Sequence, residues 1–300
     1  MNQDPEDEIF KLRNVLLNKS QESSLPARFE ALFSLKIHGK SDKKAIDALA
    51  EGFCDDSELL KHEIAYVLGQ TQNKKAIIPL EKILRSESQE TIVRHEAAEA
   101  LGALNSQESL PLLKFLKEND PSEIIRQTCD LAIQRIEWEN SNESKTEKLL
   151  PNIFDSIDPA PPLPEDPGIG IENEVKKLSS ELINQELPLF YRYRVMFRLR
   201  NIGTDTAIDA LAQGFKDPSA LFRHEIAYVF GQLCSLHSIP YLTNVLCNQM
   251  EEAMVRHEAA EALGSIGIPD VRSLLNKFVH DKERIVRESC IIAVEMCKSI

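Results

Sequence analysis

The chain has 300 residues, 42% of them hydrophobic, enough for one large domain or two ordinary ones with a substantial core. A formal charge of −13 argues against broad nucleic-acid or anionic-membrane binding, since both need a positive field, and suits a cationic partner. Long runs rich in Ala, Leu, Ile, Glu and Lys favour helix over strand, so the expected fold is all-α.

The first residues, Met1-Asn2-Gln3-Asp4-Pro5-Glu6-Asp7, are acidic and contain no apolar leader segment. No later stretch approaches the roughly 20 apolar residues of a membrane span. A soluble, cytoplasmic protein is expected, with the nucleus as a second location. Further along, Leu49-Ala50-Glu51-Gly52-Phe53 recurs as Leu211-Ala212-Gln213-Gly214-Phe215, and Lys61-His62-Glu63-Ile64-Ala65-Tyr66-Val67 as Arg223-His224-Glu225-Ile226-Ala227-Tyr228-Val229, both at an offset of 162. Val93-Arg94-His95-Glu96-Ala97-Ala98-Glu99-Ala100-Leu101-Gly102 returns at the same offset, identical at all ten positions, as Val255 to Gly264. The chain therefore contains two homologous halves.

A shorter period runs inside each half. A basic residue opens each helical segment at Arg28, Lys61, Arg94 and Arg126, then at Arg192, Arg223, Arg256 and Arg287, in steps of 31 to 33 residues. Such a period with helical patterning predicts stacked helix pairs: eight helical hairpins in two groups of four, forming a superhelical solenoid. Gly69, Gly102, Gly231 and Gly264 are expected to end their helices as C-caps. Between the groups, residues 140–170 carry Pro151, Pro159, Pro161, Pro162, Pro164 and Pro167, then Gly168 and Gly170. The predicted organisation is one group over 1–139, a Pro-rich linker over 140–170 acting as an extended spacer, and a second group over 171–300. The six cysteines form no C-x-x-C pair and read as buried thiols rather than a disulfide framework or a thiolate metal site.

Within residues 91–104, Val93, Ala97, Ala100, Leu101 and Leu104 form the buried stripe of a helix. At about 100° per residue His95 and Glu99 then share the opposite face, with Glu96 at its flank. The same reckoning from Leu60, Ile64, Val67 and Leu68 places His62 and Tyr66 away from the core. Successive inner helices of a solenoid lie about 8–10 Å apart, so His62-Glu63 and His95-Glu96 become neighbours on one concave face. His224-Glu225 and His257-Glu258 repeat the arrangement in the second half.

Of seven histidines, four occur in His-Glu pairs at matching places in the two middle repeats of each half. The corresponding positions of the outer repeats hold Phe29, Gln127, Tyr193 and Glu288, so histidine is no general requirement of the repeat. Tyr66, Tyr228, Glu99 and Glu261 are candidates for lining a cavity, while Ile92 and Met254 read as packing. Imidazole and carboxylate without thiolate suit iron, manganese or zinc, and two histidines with one carboxylate form the ligand set of non-haem iron oxygenases. Two metals also serve hydrolysis, so this pattern leaves oxidation and hydrolysis both open.

At these residues the sequence resembles deoxyhypusine hydroxylase, a family of HEAT-repeat di-iron monooxygenases. The likeness covers nearly the whole chain: the four His-Glu pairs, 33 residues apart within each half, the eight repeats, the central linker and the two Val-Arg-His-Glu-Ala-Ala-Glu-Ala-Leu-Gly stretches. It implies two Fe(2+) ions per chain, one held by His62, His95 and Glu96 and the other by His224, His257 and Glu258. Glu63 and Glu225 match motif carboxylates that serve as ligands, as catalytic groups behind the ligands, or as contacts for substrate amines. The implied reaction is O2-dependent hydroxylation of the deoxyhypusine side chain of translation initiation factor 5A, the last step in making hypusine. An acidic cleft suits that amine-bearing side chain. With no dinucleotide or P-loop fingerprint in the chain, the reductant is external. A monomer is expected. The alternatives are a metal-free HEAT-repeat adaptor that holds a basic peptide in an acidic concave groove, a di-metal hydrolase, and a bilin-attaching lyase built of similar hairpins.

Overall fold

The structure, a computed structural model, describes residues 5–151 and 153–299 and divides into two compact units, 1–139 and 140–300. The first unit pairs α1 (Pro5–Leu16) with α2 (Leu25–Gly39), α3 (Lys43–Glu51) with α4 (Glu58–Gln70), α5 (Ile77–Arg85) with α6 (Thr91–Ala103), and α7 (Leu110–Asn119) with α8 (Glu123–Glu139). The second opens with a single turn, α9 (Glu143–Thr146). It then pairs α10 (Ile171–Leu182) with α11 (Leu189–Ile202), α12 (Asp205–Ala212) with α13 (Ala220–Leu233), α14 (Ile239–Cys247) with α15 (Ala253–Ile266), and α16 (Pro269–Leu275) with α17 (Arg284–Ser299). Each unit is thus a stack of four helical hairpins, and no strand occurs among the described residues.

The second helix of each hairpin packs against the second helix of the next: α2 on α4, α4 on α6 and α6 on α8, with α11, α13, α15 and α17 following the same order. An inner helix with neighbours on several sides has little free surface, and in α6 eleven of thirteen residues are buried. The polar face deduced from its apolar stripe is therefore enclosed rather than solvated.

The glycines of these helices have a different role from the one expected. Gly69, Gly102, Gly231 and Gly264 lie inside α4, α6, α13 and α15, and none has a positive φ. A Cβ at Gly69 would lie 2.8 Å from Ala100 Cα; at Gly102, 3.1 Å from Ala132 Cα; at Gly231, 3.2 Å from Ala262 Cα; and at Gly264, 2.8 Å from Ala293 Cα. Each glycine admits the backbone of the next inner helix. Left-handed glycine caps occur elsewhere, at Gly203 and Gly267.

The basic residues that mark the repeat are staples between neighbouring hairpins. Arg28, Arg94, Arg192 and Arg256 donate Nε to the carbonyls of Leu16, Leu84, Leu182 and Leu246, each near the end of the preceding outer helix. Their guanidinium groups reach forward to Asp55, Asp120, Asp217 and Asp281 in the next hairpin. Each aspartate also accepts the backbone amide two residues on, at Ser57, Ser122, Ser219 or Glu283. Arg126, Arg223 and Arg287, in the alternate repeats, donate to the backbone carbonyls of three of these aspartates. The true structural period is therefore two hairpins, and buried charges with several partners hold it together.

The Pro-rich segment is more than a spacer. Asp158 and Ala160 are buried, and Leu163 N donates to Arg194 O. Arg194 donates to Pro161 O and Pro162 O and pairs with Glu147. Arg200 pairs with Asp158 at 2.9 Å and stacks over Phe154, while Gln232 donates to Ser156. The segment is strapped along α11, whose Arg194 and Arg200 exist to meet it. The cysteine expectation also needs correction: Cys129 and Cys290 are buried, but Cys54, Cys234 and Cys247 are exposed because they lie in turns or at helix ends. Burial pushes the two buried thiols up to about 12, so both stay protonated.

Candidate metal centre

Local capping fixes where the first histidine of each unit falls. Ser57 caps α4 by accepting from Leu60 N, and Ser219 caps α13 by accepting from Phe222 N. His62 and His224 each follow five residues later, in the second turn. Neither α6 nor α15 has a side-chain cap. Instead Lys61 reaches Glu90 at 2.6 Å and Arg223 reaches Glu251 at 2.7 Å, tying the loop before each helix to the preceding His-bearing helix. All four His-Glu pairs thus directly follow a basic residue engaged by a neighbouring hairpin, which fixes the helix turn that presents them.

In the first unit His62 Nε2 lies 3.3 Å from Glu96 Oε2, and His95 Nε2 lies 3.9 Å from the same oxygen. The two rings are 5.6 Å apart. His62, His95 and Glu96 offer ligand atoms all within 4.8 Å of one another. Two ligands about 2.1 Å from one ion are at most about 4.2 Å apart, so both measured separations suit a shared cation. In the second unit His224 Nε2 lies 3.3 Å from Glu258 Oε2, with the His224 and His257 rings 5.4 Å apart. His257, Glu258 and Glu261 also form a compact group there. The donors are imidazole nitrogens and carboxylate oxygens, a set that fits iron, manganese or zinc.

All eight residues of the His-Glu pairs are buried, His95 at 1% exposure and His257 at 0%. Helical phase in the sequence implied an open face for these side chains, whereas the neighbouring helices enclose them. Burial opposes a charge on His62, yet hydrogen bonds and charges from Glu63 and Glu96 outweigh it and hold its pKa well above 6.5. The carboxylates thus favour positive charge at this place.

The remaining candidates separate by position. Glu63 Oε1 lies 3.2 Å from His62 Nδ1, while Glu96 meets the other ring nitrogen, Nε2. Glu225 is buried at the matching position. Tyr66, Tyr228, Glu99 and Glu261 are half-buried, and Lys36 Nζ stands 5.7 Å from the Tyr66 ring centre. Ile92 and Met254 are buried, as packing residues should be. Phe29 and Tyr193 are buried, whereas Gln127 and Glu288 bond within their own helices, to Glu123 and Arg284. Sequence reasoning missed Ser289, a fully buried hydroxyl that donates to Glu261. The signal for it was the alignment of Ser289 with Thr128 when the Arg126 and Arg287 helices are superposed.

A model of HEAT repeats matches residues 46–134 and 208–295. Over 294 residues the chain is 53% identical to a deoxyhypusine hydroxylase of Schizosaccharomyces pombe, covering 97% of this chain and 92% of that one. The deoxyhypusine hydroxylase of Candida albicans is also 53% identical, with 96% and 92% covered. The chain belongs to the deoxyhypusine hydroxylase family. A solved human deoxyhypusine hydroxylase, in complex with glycerol, matches with a TM-score of 0.89 and 42% identity, over 98% of this chain and 97% of that one. Membership of the deoxyhypusine hydroxylase family makes the chain an enzyme and an oxidoreductase, built on HEAT repeats as its sequence period implied. Among the described residues no helix is long and apolar enough to cross a membrane.

Proposed function

We propose that the chain hydroxylates the deoxyhypusine side chain of translation initiation factor 5A, using dioxygen, an external reductant and two iron(II) ions. One iron is held by His62, His95 and Glu96, the other by His224, His257 and Glu258. The observation that carries the reading is a buried imidazole–carboxylate contact repeated on matching helices, His62 to Glu96 and His224 to Glu258, both at 3.3 Å, each beside a second histidine ring at 5.6 and 5.4 Å. The identity to named hydroxylases supports the choice of oxidation over hydrolysis. A metal-free adaptor would leave the paired buried carboxylates and imidazoles without a purpose.

Iron held by these residues would supply the activation of dioxygen. One oxygen atom enters a carbon–hydrogen bond of the substrate, and the other leaves as water with two electrons and two protons from the reductant. The protein's own residues supply the setting. Glu96 and Glu258 place negative charge beside the imidazoles, and the buried surroundings exclude bulk water from the oxidising centre. Glu63 orients His62 through Nδ1, and its charge, with that of Glu225, attracts the amino groups of the substrate side chain. The protein acts as a monomer in the cytoplasm, with the nucleus as a second location, and needs neither nucleic acid nor membrane.

The test joins iron counting to turnover. Protein reconstituted anaerobically with iron(II) should retain two irons per chain. Given dioxygen, reductant and the deoxyhypusine-bearing factor, it should add 16 Da, about one oxygen atom, to the substrate. Fewer than two irons, or no mass gain from fully loaded protein, contradicts the assignment.

A further inference from the structure

We infer that Glu261 and Ser289 form a positioning chain for His257, so that the second ligand set reaches into the last hairpin. The inference rests on the proposed role of His257 as an iron ligand. Glu261 stands one turn after His257 on α15, and its Oε1 lies 3.4 Å from His257 Nδ1. Ser289, on α17, donates Oγ to that same Glu261 oxygen at 2.8 Å and lies 3.5 Å from His257 Nδ1. Both His257 and Ser289 are fully buried.

The chemistry follows from the donors. An ionised carboxylate only accepts, so Glu261 draws the imidazole proton to Nδ1 and leaves the Nε2 lone pair for a metal. One hydrogen bond from Ser289 keeps the carboxylate from rotating away. The matching residues of the first unit are Glu99 and Thr128, but Thr128 Oγ1 donates to Ile124 O in its own helix at 2.9 Å. The hydroxyl is thus directed at the carboxylate in the second unit and at the backbone in the first, and the two iron sites should respond differently to its removal.

The experiment uses the full chain, stripped of metal and titrated anaerobically with iron(II) against a competing chelator. Glu261→Gln and Ser289→Ala should each weaken one of the two sites by about 10- to 100-fold, the usual effect of losing such an outer partner, and leave the other site unchanged. Thr128→Val should change neither, and Ser289→Thr should restore most of the lost affinity. Thermal melts of the metal-free proteins separate this from misfolding, because the melts of Ser289→Ala and wild type should coincide within a few degrees. Two wild-type affinities with Glu261→Gln and Ser289→Ala indistinguishable from them would overturn the positioning chain alone. A Glu261→Gln protein that cannot take a second iron at saturating iron(II) would overturn it too, making Glu261 a ligand. Wild-type protein that takes up no iron overturns both this inference and the reading beneath it.

Discussion

Asp120→Ala removes the carboxylate that anchors Arg94, the residue immediately before His95. The side chains of Arg94 and Asp120 are only 7% and 2% exposed, so the pair is a buried one. With the aspartate gone, Arg94 keeps its bond to Leu84 O, but its charge lies buried without a counter-ion. Breaking a buried pair on one side costs about 3–5 kcal/mol, far above the figure for a surface salt bridge. The backbone amide of Ser122, which donates to Asp120 at 2.9 Å, loses its acceptor as well. For a unit of this size a loss of about 3 kcal/mol lowers the melting point by roughly 10 °C. The assay is urea and thermal unfolding of the full chain followed by fluorescence of Trp138, the single tryptophan of the sequence, which lies in α8 of the same unit. The double variant Arg94→Met with Asp120→Leu replaces the pair with apolar groups and should recover most of the loss, since buried pairs are rarely superior to good packing. A cost below about 1 kcal/mol for Asp120→Ala, in the range of an exposed pair, would refute the staple.

Three further outcomes follow from the geometry. His95→Ala should lower iron stoichiometry to one per chain and abolish turnover while the far-ultraviolet circular dichroism of the helices is retained; two irons in this variant would remove His95 from the ligand set. Burial opposes the charge of Asp281, but Arg256 and the Glu283 amide prevail and hold its carboxyl below the usual range. A depressed carboxylate stabilises the fold above its ordinary pKa of about 3.9 and loses that contribution as the pH falls through the folded value. The stability gap between wild type and Asp281→Asn, measured by urea titration of metal-free protein, should therefore be constant from pH 7 to 5 and shrink below about pH 4; a gap that widens in acid contradicts the assigned sign. Arg200→Met should release the strap, seen as faster amide hydrogen exchange confined to residues 154–163, and unchanged exchange there would mean that Asp158 and Phe154 do not depend on Arg200.

The stack of helix pairs was legible because each hairpin repeats its hydrophobic stripe and its opening basic residue. The same repetition concealed the purpose of that residue. Arg94 and Arg126 look equivalent in the sequence, yet one bonds an aspartate side chain and the other the backbone carbonyl of the same aspartate. Partner choice of that kind depends on where the loop before the next inner helix falls. The His-Glu pairs were legible from their restriction to the middle repeats, and helical phase assigned them to a shared face. Their burial was not, because a helical wheel describes one helix and not the neighbours that enclose it. Proline density suggested a detached linker; the signal against that was the additional arginines of α11, Arg194, Arg198 and Arg200, where the first half has Glu30, Ser34 and Lys36. An excess of buried arginine needs acceptors, and residues 158–162 supply several.

Helix spacing connects the scaffold to the chemistry. His62 and Gly69 are seven residues apart on α4, two turns along nearly the same face, and Gly69 sets how closely α4 approaches α6, which carries His95 and Glu96. A methyl group at Gly69 would lie 2.8 Å from Ala100 Cα, about 0.6 Å inside the 3.4 Å of ordinary contact, and it meets backbone, which cannot swing away. A Cβ at Gly102 would lie 3.1 Å from Ala132 Cα, so this glycine sets the approach of α6 to α8, a helix without a His-Glu pair. Both substitutions to alanine overpack the core and should cost about 1–3 kcal/mol. Of the two, only Gly69→Ala pushes apart two helices of the proposed ligand set, and a displacement of about 0.5 Å is the tolerance within which a ligand set keeps its geometry. Gly69→Ala should therefore lose iron affinity out of proportion to its stability, whereas Gly102→Ala loses stability with its iron affinity close to wild type. Equal effects of the two on iron, at equal melting points, would show that the ligand spacing is not set by the close approach at Gly69.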